Sequence, residues 1–151
     1  MQKLKILNSR EKKPLLARIK EQWGCDFKTD LVWMMSAKNR IYLMTKDMEN
    51  IDFKKVRIDT MGSYFATIND TEIRISIEGS QSIGPIAKKN VVELSEEEAT
   101  SWMEGNDIMK KTDCEGYIII RSGNDFLGCG KATEDKILNF VPKNRRINRS
   151  H

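Results

Sequence analysis

The chain has 151 residues, 39% of them apolar and 32% charged, and carries a formal net charge of +4. That apolar fraction suffices for one domain or two small ones, and so slight a net charge names no partner by itself. Cys25, Cys114 and Cys129 are odd in number and never form a CxxC pair, the start MQKLKILNSR lacks an apolar leader, and no eighteen apolar residues are consecutive; a disulfide framework, a zinc site, a secretory signal and a membrane span are therefore not expected, and a soluble cytoplasmic protein is.

Leu4, Ile6 and Leu7 open the apolar pattern. Asn8 and Ser9 then offer capping side chains, Leu15, Leu16, Ile19 and Trp23 recur at helical spacing, and Gly24 supplies a stop. Pro14 suits the first turn of a helix, so the regular part is expected to begin nearer Lys13 than Arg10. Residues 30–37 (DLVWMMSA) and 40–46 (RIYLMTK), joined by Lys38-Asn39, read as a β-hairpin with Trp33 in the core. A short helix at 48–53 and strands at 56–58, 62–68 and 72–77 follow, the last two turning through Asn69-Asp70. In the last strand Ile73, Ile75 and Ile77 alternate with Arg74 and Ser76, the pattern of a half-buried strand.

Turn formers and small residues cluster at 78–85 (EGSQSIGP), which places a boundary between two docked halves, 1–77 and 78–151. A short strand at 91–94 leads to Ser95-Glu96-Glu97-Glu98, a capping box in which Ser95 and Glu98 satisfy each other's amides. Ala99, Trp102 and Met103 give this helix a buried face, and Gly105 ends it. Its acids suit the positive end of the helix dipole, which accounts for Glu96, Glu97 and Glu98 without a catalytic role. Strands at 117–121 and 126–131 form a hairpin through 122–125, and a last strand covers 137–141.

Charge is segregated along the chain. Residues 1–28 carry eight basic and three acidic side chains and residues 131–151 six and two, whereas residues 90–115 hold eight acids against Lys110 and Lys111. The pattern suggests a polyanion-facing surface and a separate acidic one, although any single run also reads as a solvated face. Gly128-Cys129-Gly130-Lys131 lacks the spacing and the hydroxyl residue of a phosphate-binding loop, because Ala132 follows the lysine. Its glycines admit either a bulge or close strand crossing, or the close approach of a nucleic-acid backbone. Cys129 has no histidine base nearby, since the sole histidine is His151; neither nucleophilic catalysis nor a metal site is expected.

Several ordered motifs resemble a known family. Ser82-Ile83-Gly84-Pro85, Lys89-Asn90-Val91, the acidic helix with Trp102 and Gly105, GYIIIRSGNDFLGCGK from Gly116 and the closing ILNFVPKNRR are similar to the PUA-like RNA-binding domain of Sun-type 5-methylcytosine rRNA methyltransferases. The resemblance covers residues 79–146. Residues 3–77 more loosely resemble the domain that precedes PUA in archaeal RNA-processing proteins. No S-adenosylmethionine-binding segment and no Pro-Cys motif of the methyltransferases occurs in the chain.

The resulting expectation is an α+β protein, with an N-terminal α/β pre-PUA-like half docked on a C-terminal PUA-like β-barrel. It would be a stand-alone, non-enzymatic binder of structured rRNA or tRNA in ribosome assembly or RNA modification, with no cofactor. Lys88, Lys89, Lys131, Lys143, Arg145 and Arg146 would hold phosphates. Gly84, Gly128 and Gly130 would admit the RNA backbone, and Asn139 stands near an asparagine of the family pattern. The alternative is a protein–protein adaptor whose acidic helix recruits an RNA methyltransferase or a ribosomal protein.

Overall fold

The computed structural model describes residues 4–45 and 63–147. The helix expected at 48–53 and the strand at 56–58 lie outside the described residues, as do Lys46, Gly62, Arg149 and His151.

Strand β1 (Leu4–Ile6) leads into helix α1 (Ser9–Trp23). The helix begins earlier than Pro14 suggested. Asn8 is the N-cap: its side chain accepts from the Glu11 amide at 2.9 Å, and Glu11 returns a bond from the Asn8 amide at 3.1 Å. This box satisfies two end donors, while Pro14 removes only one backbone bond, to a carbonyl at the exposed Arg10. Gly24 closes the helix at φ +67° and donates to the Lys20 carbonyl. Leu15, Ile19 and Trp23 are buried, as their spacing predicts.

The hairpin forms as β2 (Val32–Ser36) and β3 (Arg40–Met44), with Asn39 at φ 61° in its turn. Strands β4 (Ser63–Ile68) and β5 (Ile73–Ile75) complete an antiparallel sheet in the order β1-β2-β3-β4-β5. Trp33 is a core residue, its ring 5.5 Å from that of Phe65.

The stretch at 78–85 is helical, not a cluster of turns. Helix α2 (Ile77–Ile83) runs into a 3-10 turn at Gly84–Ile86. Ser76 caps α2, its hydroxyl oxygen accepting from the Gly79 amide at 2.9 Å, so Ile77 starts the helix instead of ending a strand. Gly79 and Ser80 are buried, and small residues here let the helix lie close to the chain beneath it. Packing thereby overrides a weak local propensity.

Strand β6 (Val91–Glu93), helix α3 (Glu96–Met103) and strands β7 (Tyr117–Ser122), β8 (Asp125–Ala132) and β9 (Ile137–Asn139) build the second sheet, ordered β6-β7-β8-β9. Strands β6 and β7 are parallel, and the other pairs are antiparallel. The capping box on α3 is present, with Ser95 and Glu98 exchanging bonds of 2.9 and 3.1 Å. Among the described residues β6 and β9 do not pair, so the sheet is open and the closed barrel expected from the sequence does not form. Helix α2 packs against β8 and α3 against β7.

The run Tyr117–Ile120 is apolar throughout because both faces of β7 are buried. Ile118 and Ile120 join Trp102, Val92 and Ile137 in one cluster, while Tyr117 and Ile119 join Trp23, Trp33, Phe65 and Ile75 in another. The second cluster takes residues from both sheets. Fully burying Trp23 and Trp102 contributes roughly 4–6 kcal/mol of transfer free energy each.

Candidate nucleic-acid interface

The residues expected to bind RNA are dispersed, and several serve the fold. Gly84 is buried where a Cβ would stand only 2.2 Å from the edge of the Phe126 ring. Gly128, at φ +94°, donates its amide to the Ser80 hydroxyl at 2.8 Å and brings β8 against Ile77 of α2. Gly130 lies beneath Trp102: a Cβ there would stand 2.6 Å from both the Trp102 ring and Ile137. The close approaches these glycines permit are to protein atoms.

Asn139 is saturated internally. Its side-chain amide donates to the carbonyls of Trp102 and Asn106, each at 2.8 Å, and its oxygen accepts from the Val141 amide at 2.7 Å. It ties the end of α3 to the strand beside it. Lys131 pairs with Glu72 at 3.1 Å and stands over the Tyr117 ring, and its bond to Glu72 raises the pKa of its ammonium. Lys88 and Lys89 are exposed at the C-terminal end of α1, where their amides donate to the Trp23 carbonyl. Cations suit that negative end of the helix dipole. Arg146 donates to the Val141 carbonyl at 3.1 Å and lies against Gly105. Lys143 is exposed in a 3-10 turn, Lys143–Arg145.

Only Gly128 and Arg145 of the expected set line a cleft of about 800 Å³ among the described residues. Its walls come from β3, β4, β5, the start of α2, β8 and the segment after β9. Arg40, Arg74 and Arg145 reach it, together with Tyr42, Tyr64 and Phe140. Two of these arginines sit over rings: Arg40 Cζ is 5.7 Å from the Tyr64 centroid, and Arg74 Cζ is 5.0 Å from that of Phe140. Neither has a carboxylate partner among the described residues. Arg145 does, pairing with Glu78 at the rim. Three guanidinium groups against one carboxylate leave the cleft cationic, with planar groups suited to phosphate and to base faces.

Sequence reading missed Arg40, Arg74, Tyr64 and Phe140 as site residues. A signal was present, because Arg74 alternates with the core residues Ile73 and Ile75 and so had to face away from them. Nothing local said that Phe140, from the other sheet, would meet it.

Cys129 borders the same cleft but is buried, and its thiol donates to the Ile75 carbonyl at 3.0 Å. Burial pushes its pKa up to about 12. The thiolate that nucleophilic attack requires is thus suppressed.

Residues 89–147 match the family described as the methyltransferase RsmF PUA domain. The chain is 26% identical over 138 residues to ribosomal RNA small subunit methyltransferase F of Aeromonas hydrophila, an alignment covering 91% of this chain and 28% of that protein. It is 25% identical over 113 residues to the protein of the same name from Vibrio cholerae, covering 74% and 23%. The chain thus spans about a quarter of the length of the curated relatives it matches. Together with the mixed sheet and helix that these residues form, the match gives the conclusion that the C-terminal part of this chain is a PUA-like domain.

Proposed function

We propose that this chain binds structured RNA, with rRNA as the first candidate and tRNA as the second, and contributes binding, not catalysis, to ribosome assembly or RNA modification. The observation that carries the reading is the cleft with Arg40, Arg74 and Arg145 interleaved with Tyr64 and Phe140. The PUA-like domain and the rRNA-modifying relatives support the same direction. Here the two halves act as one docked body with the cleft between them, and the chain binds RNA in its own right.

The test is titration of the purified chain with rRNA fragments and tRNA at several salt concentrations. Affinity is expected to fall as salt rises, with a slope of roughly −0.7 to −0.9 per phosphate neutralised. A salt-insensitive complex, or none, overturns the reading.

A second reading is a protein adaptor docking through α3. It rests on Glu96 and Glu97, which are exposed and have no ion-pair partner among the described residues. Nuclease-resistant binding to an RNA methyltransferase or a ribosomal protein would favour it.

A further inference from the structure

We infer that the cleft takes an unpaired nucleotide, its base against the Tyr64 and Phe140 walls and a neighbouring phosphate on Arg145, with Glu78 as the internal competitor that this phosphate displaces. The inference rests on the RNA-binding reading above and names the form of RNA.

Size is the first argument. A cleft of about 800 Å³ falls within the usual range for small-molecule sites, about 300 to 1,000 Å³, and is far too small to take in a duplex. Chemistry is the second. A paired RNA presents ribose and phosphate and keeps its base faces stacked inside, so rings recessed in a cleft gain nothing from it. An unpaired base has free faces, and both aromatic rings and guanidinium planes can stack on them. Here the two kinds of plane are already paired, Arg40 with Tyr64 and Arg74 with Phe140. The rings hold the guanidinium groups in place, so less side-chain freedom is lost when a ligand arrives.

Arg145 differs from the other two arginines. Its guanidinium is held by Glu78, itself part of the cleft lining. A phosphate oxygen can accept from the same guanidinium nitrogen in place of the Glu78 oxygen. Glu78 therefore lowers affinity in proportion to how well it mimics the ligand.

The experiment is fluorescence anisotropy with a labelled RNA of about 12 nucleotides, used as a single strand and annealed to its complement. The single strand is expected to bind more tightly. Tyr64→Ala and Phe140→Ala should each weaken single-strand binding about 5- to 150-fold and leave duplex binding unchanged. Tyr64→Phe, which keeps the ring, should bind as the parent chain does. Glu78→Gln should bind the single strand more tightly, a gain that no misfolded variant produces.

Equal affinity for single strand and duplex, together with aromatic variants that bind normally, overturns the inference while salt-dependent RNA binding still stands. A fall in affinity for Glu78→Gln also overturns it. Absence of binding to every RNA overturns both readings together.

Discussion

Arg74 of β5 holds its guanidinium 5.0 Å above the centroid of Phe140, a residue that follows the last strand of the other sheet. The pair joins a cation from one half of the sequence to a ring from the other, at the wall of the cleft. Replacing Arg74 and Arg40 together by alanine should weaken RNA binding and flatten its salt dependence by about 0.7–0.9 for each phosphate that is no longer neutralised. Titration at several salt concentrations reads both effects. An unchanged slope would place the RNA-binding face elsewhere.

Asn139 is expected to be a stability residue. Asn139→Ala leaves the Asn106 carbonyl and the Val141 amide without their side-chain partner and removes a bond to the Trp102 carbonyl, which keeps the Gly105 amide, and should cost roughly 2–4 kcal/mol. Asn139→Asp retains the acceptor but loses both donors, so it should not rescue the loss. Denaturant midpoints measure the change, and a variant with normal stability but weak RNA binding would return Asn139 to the interface.

Gly130→Ala tests the same distinction on β8. The added methyl meets the Trp102 ring and Ile137 at 2.6 Å, inside a packed cluster with no flexible end to yield. A loss of roughly 1–3 kcal/mol is expected. Melting temperature is the readout, and unchanged stability would contradict this packing.

Acid sensitivity should report the α3 capping box. The Glu98 carboxyl is held below its ordinary pKa, first by its bond from the Ser95 amide and further by Lys110. A depressed folded-state pKa contributes stability that is present above the unfolded value and is lost as pH falls through the folded one. Below about pH 4.5 the parent chain should therefore lose part of its stability, and Glu98→Gln should lose less over the same interval. Ser95→Ala, by removing the cap acceptor, should cost about 1 kcal/mol at neutral pH. Denaturation curves across pH decide both.

Legibility in the sequence followed the range of the interactions. Both capping boxes found among the described residues lie within four consecutive residues, and the one on α3 was readable from Ser95 and Glu98 because its partners are three positions apart. The hairpins at Asn39 and Gly123 were readable for the same reason, since turn chemistry is local. Helix α2 was not, because its small residues look like a turn until they are packed against a strand. The glycines of β8 show the limit most directly. A glycine signals that something comes close, but the sequence does not say whether that something is RNA, Trp102 or Ile77.

From sequence alone came the mixed α+β class, the elements with a clear period, and the motifs that identify the C-terminal domain. These depend on residue spacing and order, which the chain carries explicitly. The cleft was decided by tertiary structure. Arg40, Tyr64, Arg74, Phe140 and Arg145 come from separate strands and from the tail, and only the packing of one sheet beside the other brings their side chains to a common wall. The same packing engages Gly130 and Asn139 within the fold, while Lys131 stays partly exposed in its pair with Glu72.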